Sequence, residues 1–316
     1  MAGVTDETPG GPRADEPGSG RVSGARTIEG SRWPLASLAS ATLAELARAP
    51  ERSTASRVLR ALGWGFARVF SVVALALAWE LFARSGAVTP FMLPRLSLVL
   101  ERIWSDLVSG DLMMNTGVTV YRAMVGFLIA AVAGIVLGMA ISRGKLAHWF
   151  FDPIISVGFP MPKIAFLPVV ILWLGVYDIS KISMVVLDAI FPVVTATVIG
   201  IRGVERELLW SARNMGAGDR EILWQIALPA ALPQIITGLQ VALPIALIVA
   251  VVTEMLMGGY GLGGAMMTSS RFADSRGVFA GIVEIAVVGY VLVKGMAIVR
   301  RRLLLWHQEA MAPSTV

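Results

Sequence analysis

The sequence contains no cysteine. A disulfide, a thiolate metal site and a thiol nucleophile are therefore all excluded. Histidine is nearly as scarce: His148 and His307 are the only two. A histidine-based metal site or triad would need both, and they stand far apart, so they read as interfacial residues. Charge is low as well. Asp, Glu, Lys and Arg make up 16% of the 316 residues, 56% are hydrophobic, and mean hydropathy is +0.71. Soluble domains carry about 25% charged residues, so this composition indicates an integral membrane protein. No GxxxxGK[ST] phosphate loop occurs, and the chain does not bind ATP through a P-loop by itself. Gly259 to Gly264 forms a formal GxGxxG, but it follows an apolar helix rather than a strand. It reads as a flexible turn rather than a dinucleotide fingerprint. The net charge of +5 comes from basic residues that flank apolar runs. This is an orientation signature of membrane proteins and does not point to nucleic acid as a partner.

What is present is a series of long apolar runs. Residues 1–56 are rich in Gly, Pro, Ser, Ala, Arg and Glu and read as a disordered cytoplasmic tail, with a short amphipathic helix or an Ala-rich linker at residues 35–49. Residues 57–306 read as the membrane domain, and 307–316 as a C-terminal tail. The first span is expected at 65–83, preceded by Arg57 and Arg60. A polar outer connection with a surface helix near 98–108 follows. The second span, 118–141, carries Gly126, Gly134 and Gly138, whose spacing allows close approach of another helix. The third, 150–176, is interrupted by Pro160, Pro162 and Pro168. Proline deletes helix donors, and an unwound segment survives in a bilayer only against protein or a wet cavity. The fourth is 182–201, the fifth 235–257 and the sixth 278–299, the last stopped by Arg300, Arg301 and Arg302. Six spans place both termini in the cytoplasm, the side on which most Lys and Arg then fall. Arg84, Arg95, Arg102, Lys181, Arg271 and Arg276 are the exceptions.

Between the fourth and fifth spans lies a polar stretch, Glu205 to Pro233. Glu205 to Met215 has good helix formers and ends at Gly216-Ala217-Gly218, where a glycine can adopt the left-handed cap. Asp219 offers an N-cap oxygen to a second helix, 220–228, which Pro229 and Pro233 are expected to end. Ser211, Ala212 and Gly216 make a small-residue face suited to docking on another protein, or the hairpin could lie on the bilayer with Trp210 and Trp224 as anchors.

The run WSARNMGAGDREILWQIALP resembles the "EAA" signature of permease subunits of bacterial ABC importers: Glu-Ala-Ala, three residues, Gly, nine residues, Ile-x-Leu-Pro. Ala212 matches the second alanine, Gly216 the glycine, Ile226 the isoleucine, and Leu228 and Pro229 the final pair. Trp210 stands in place of the usual Glu, and Ser211 in place of the first Ala. The stretches WELFARSGAVTPFMLPRLSLVLE, PMPKIAFLPVVILWLGVYDISKI and GLGGAMMTSSRFADSRGVFAGIV are similar to the nitrate/sulfonate/taurine branch of that family. The resemblance implies an all-α membrane protein with six transmembrane helices and the fold of a type I importer permease, in the bacterial inner membrane. It implies a second permease copy, two ATPase subunits that bind ATP and Mg, and a periplasmic or lipid-anchored solute-binding protein. The chain itself would carry no cofactor and perform no bond chemistry. Trp210, Ser211, Ala212, Arg213, Gly216, Ala217, Ile226, Leu228 and Pro229 would couple it to the ATPase.

Ionisable residues at membrane depth are costly and are functional candidates by default. Asp188 falls mid-span. It could line the path or pair with Lys181 or Lys163. In an anion importer a gate or a structural pair suits it better than a free acid in the path. Glu254 and Glu284 fall near outer helix ends, where solvation would account for them. Pro160, Pro162, Asp188 and Glu254 are thus the candidates for the path or gate. A secondary transporter using Asp188 and Glu254 as ion sites and a non-transporting scaffold are the competing classes.

Overall fold

The computed structural model describes residues 70–304. The expected tails at 1–56 and 307–316, and the first five residues of the expected first span, lie outside them. Every regular element among the described residues is helical. Helix α1 covers 70–84, followed by α2 (Leu96–Ser109), α3 (Asp111–Arg143), α4 (Lys145–Gly158), α5 (Leu167–Leu174) and α6 (Asp178–Arg202). Then come α7 (Arg206–Asn214), α8 (Asp219–Met257), α9 (Leu262–Arg271) and α10 (Ser275–Leu303). Four of them, α3, α6, α8 and α10, are long and apolar enough to cross a membrane. The pair α4 and α5, with its 3-10 turn Lys163–Phe166, makes a fifth candidate, bent by 98°. The bend falls at the proline-rich segment, as the deleted helix donors dictate.

Helix α6 occupies the middle of the bundle because small residues let two neighbours approach it. On α3, a methyl group added at Gly126, Gly134 or Gly138 would meet Val185, Val193 or Thr197 at 2.5–2.8 Å. The glycine spacing of the second span is therefore a docking seam for α6, with the two helices running parallel. Helix α8, running antiparallel, packs on α6 in the same way: Gly200 of α6 meets Ala231, and Gly238 of α8 meets Ala196. Ala123, Ala130, Met184, Val185, Ala189, Val193, Ala242 and Ala246 form the fully buried core of this three-helix unit.

Helix α8 differs from the sequence expectation. Pro229 and Pro233 do not end it, and neither does Pro244 further on; the helix continues to Met257. Its first turns widen into a π-helical stretch, Ile222–Ala227. Hydrogen bonding there skips one residue further, which re-registers the backbone just ahead of Pro229. Prolines persist in membrane helices where such local adjustments re-satisfy the freed carbonyls. At the end of the bundle away from α7, α1 is tied to the following connection by Trp79 Nε1, which donates to Pro94 O at 3.0 Å. Arg95 provides no side-chain cap for α2. Glu80 of α1 does this instead, accepting from Ser97 N at 3.2 Å and Ser97 Oγ at 3.0 Å.

Candidate functional site

Three groups of residues can carry function: the α7–α8 hairpin, a sealed ion network at the opposite end of the bundle, and an ion pair at the broken span.

The hairpin begins with an amphipathic α7. Its C-terminus is a Schellman motif: Ala217 N donates to Ala212 O at 3.0 Å and Gly216 N to Arg213 O at 2.9 Å. Gly216 sits at φ 88°, a left-handed conformation that a side chain disfavours, so glycine is required there by the backbone itself. Gly218, not Asp219, is the N-cap of α8. Asp219 is already helical, and Glu221 reaches back to accept from Gly218 N at 3.0 Å. With a glycine at the cap, the third helical residue supplies the carboxylate that satisfies the free N–H. The small-residue face divides in two. Ala212 is buried against this chain and is the one buried residue of α7, whereas Ser211 and Gly216 are exposed. The outward surface is instead made by Trp210 (57% exposed), Met215 (82%), Leu208, Arg213 and Asn214. Arg213 reaches Asp219 at 3.5 Å across the turn. Ala217, Ile226 and Leu228 are half-buried and Pro229 is exposed. The small residue at 212 thus serves internal packing, and it turns the large side chains outward.

Glu254 corrects the sequence expectation most sharply. Its place near a helix end suggested solvation, yet it is 0% exposed. Arg122 Nη1 donates to it at 2.7 Å, Thr119 Oγ1 at 2.8 Å and Gly263 N at 3.1 Å. Arg122 also donates to Asp178 at 2.6 Å and to Tyr260 O at 2.6 Å. Thr119 accepts from Leu262 N, and Asn115 accepts from Gly261 N, both at 2.9 Å. The Gly258–Gly264 turn folds back over the end of α8; its Gly263 amide donates to the carboxylate, and its Gly261 and Leu262 amides tie it to Asn115 and Thr119 of α3. Gly261, at φ 122°, lies against the Glu254 carboxyl, where an added methyl would overlap it. The GxGxxG pattern is therefore a tightly bonded cap over a buried acid. Arg122, absent from the sequence-based candidates, is its counter-charge. An Arg near the start of the apolar run at 118–141 is the signal that could have exposed it.

Asp188 pairs with Lys163, not with Lys181, at 3.1 Å. Lys181 is buried and donates to Gly258 O at 2.7 Å, so it belongs to the sealed network. Lys163 Nζ also donates to Phe159 O at 2.9 Å and stands 4.7 Å from the Phe191 ring centroid. Asp188 is ten residues into α6, about 15 Å along it at 1.5 Å per residue, close to half of a ~30 Å hydrocarbon core. Pro160 and Pro162 are exposed beside the pair. Glu284 lines a separate cavity of about 430 Å³ with Arg102, Asp106 and Asn115. Arg102 bridges Asp106 at 2.9 Å and Asp274 at 2.8 Å. Burial acts to lower the Arg102 pKa, but the bonds and charges of Asp106 and Asp274 prevail and raise it. Among the described residues, no group of three or more His, Cys, Asp or Glu is placed to hold a metal ion.

Known proteins share this architecture. A solved structure described as "Inward facing conformations of the MetNI methionine ABC transporter" superposes with a TM-score of 0.50 at 15% identity, over 60% of this chain and 98% of that one. It supports the fold alone. The putative aliphatic sulfonates transport permease protein SsuC of Bacillus subtilis is 32% identical over 247 residues, covering 78% of this chain and 89% of the relative. The taurine transport system permease protein TauC of Escherichia coli is 29% identical over 244 residues, covering 76% and 89%. The family model of the binding-protein-dependent transport system inner membrane component matches residues 126–305, from the glycine seam of α3 to the end of α10. That match, more than half of the chain, together with the helical bundle and its broken span, establishes that the protein belongs to the family of binding-protein-dependent transport system inner membrane components and is a multi-pass permease component of an ABC importer.

Proposed function

We propose that the chain forms the translocation path for a small solute such as a sulfonate, nitrate or taurine, and is driven by separate ATPase subunits that dock on the α7–α8 hairpin. One observation carries the reading: α7 buries Ala212 in its own chain and turns Trp210, Arg213 and Met215 outward, on a chain that has no phosphate loop of its own. A short polar helix that anchors inward by an alanine and exposes a Trp and a Met is suited to seating in a partner's cleft. Aromatic, Met and Arg side chains are those enriched at interfaces. ATP and Mg belong to that partner. The proline-broken α4–α5 face, with Phe159, Met161 and Phe166 exposed around unwound backbone, calls for protein or water in a membrane. A second copy of the chain meets that need and completes the path. A solute-binding protein would deliver solute at the end opposite the hairpin. The hairpin then faces the cytoplasm together with both termini, in the bacterial inner membrane.

Purification with the cognate ATPase and reconstitution with the binding protein tests this. The expected result is ATP-dependent uptake and hydrolysis stimulated by liganded binding protein. Uptake that persists without the ATPase and collapses with an uncoupler would make the chain a secondary transporter instead.

A further inference from the structure

Among the described residues, the basic side chains in the membrane helices differ in how far they are committed. Arg122 has three acceptors and is sealed; Lys181 is buried on a backbone carbonyl. Arg300 donates to Gln240 near the end of α10, and Lys294 lies over Tyr290. Lys163 stands apart. It sits at the break between α4 and α5, near mid-depth. Its side chain is 11% exposed and that of its partner Asp188 25%. A charged pair bordering open space at that depth is not compatible with lipid, so it faces water or protein. Unwound helix segments at the midplane are where transporters build solute sites. A second feature lies beside the pair. Phe159, whose carbonyl accepts from Lys163, also lines a cavity of about 270 Å³ between α4 and α6. Thr195, two turns along α6 from Asp188, lines the same cavity, and its hydroxyl is buried without a hydrogen-bond partner. Thr197 nearby satisfies its own hydroxyl on Val193 O at 2.7 Å, the usual recourse of a helical threonine. Thr195 remains a free donor and acceptor in the cavity wall.

The pair selects a class of solute by its charge. A plain anion reaching Lys163 must displace Asp188, which leaves a carboxylate without its counter-charge beside the incoming anion. A solute carrying both an oxyanion and an ammonium group replaces both partners at once: the oxyanion meets Lys163 and the ammonium meets Asp188. We propose that Lys163 and Asp188 form a subsite for a dipolar solute rather than for a net anion, with the Thr195 cavity two turns further along α6. This rests on the importer-permease reading and specifies the solute for that path.

The test is direct binding to the purified permease–ATPase complex without binding protein, using radiolabelled taurine as the dipolar probe and ethanesulfonate as the net anion. The expected result for the wild type is saturable taurine binding, tighter than ethanesulfonate by roughly tenfold or more. Asp188→Asn should weaken taurine by a similar factor and leave ethanesulfonate unchanged or improved. Lys163→Gln should abolish both. Co-purification with the ATPase and an unchanged melting profile establish that a variant is folded. The wild-type comparison stands without any variant: equal affinities, tighter ethanesulfonate binding, or no saturable binding up to tens of millimolar overturns the proposal. Failure of the wild-type chain to co-purify with an ATPase overturns the permease reading itself, which is a different observation.

Discussion

Two ion pairs in this protein have the same chemistry and opposite settings. Arg122–Glu254 lies at the end of the bundle away from the hairpin, with side chains 5% and 0% exposed; Thr119 Oγ1 and Gly263 N also donate to the carboxylate, while Asp178 and Tyr260 O also accept from the guanidinium. Lys163–Asp188 lies at mid-depth beside a helix break, partly open. A fully satisfied buried network fixes a unique arrangement and resists exchange. A half-open pair can trade one partner for a ligand, with the Phe159 carbonyl still holding Lys163 in place. The network therefore holds the ends of α3, α6, α8 and α9 in register, while the pair borders the part of the chain where backbone is unwound. Charge at membrane depth is a functional signal in both places, but burial decides which kind.

Removing Glu254 should have the largest effect. Glu254→Ala leaves Arg122 and the Gly263 amide without their carboxylate, and loss of one partner from a buried pair costs about 3–5 kcal/mol. Melting of the detergent-solubilised chain should fall steeply, whereas Asp188→Asn should lower it much less; equal losses would erase the distinction between the two pairs. Gly134→Leu comes next. Its side chain would enter Val193 on α6, and overpacking of this kind costs about 1–3 kcal/mol, visible as reduced yield of monodisperse protein. Gly216→Val forces a β-branched residue into a left-handed turn, at about 1–2 kcal/mol, and should reduce ATPase stimulation more than it reduces stability. Arg84→Ala, which breaks an exposed i,i+4 pair with Glu80, should leave the melting profile nearly unchanged. A large drop there would mean that α1 depends on more than its contacts with Pro94 and Ser97.

Much of the fold was legible because its signals are local. The apolar runs marked α3, α6, α8 and α10, the glycine spacing marked a close-packing face on α3 without naming its partner, and Pro160 and Pro162 marked the break that the structure bends by 98°. Several exceptions to the charge bias are neutralised in place: Arg84 by Glu80 and Arg102 by Asp106 and Asp274, while Lys181 donates to a carbonyl. What was not legible depends on long-range contact. Glu254 reads as a solvated end until Thr119 and Arg122, more than 130 positions earlier, are seen to enclose it. Asp188 could have met either lysine; the bend of α4 and α5 brings Lys163, and the Gly258 carbonyl occupies Lys181. Pro229 and Pro233 read as stops because the π-helical stretch just ahead of Pro229 has no sequence signature of its own. Ala212 matched a docking pattern, but helical phase alone does not say which neighbour it packs against, and that neighbour is its own chain.

The absence of cysteine makes the central claim directly measurable. A single Met215→Cys places one thiol on the exposed face of the hairpin, and a thiol-reactive crosslinker applied to membranes containing the permease and its ATPase should join the two chains. Met113→Cys, at the opposite end of the bundle, should give no such product, and Trp210→Ala in the Met215→Cys background should weaken the crosslink together with ATPase stimulation. Crosslinking to the ATPase from Met113→Cys but not from Met215→Cys would contradict docking through the α7–α8 hairpin.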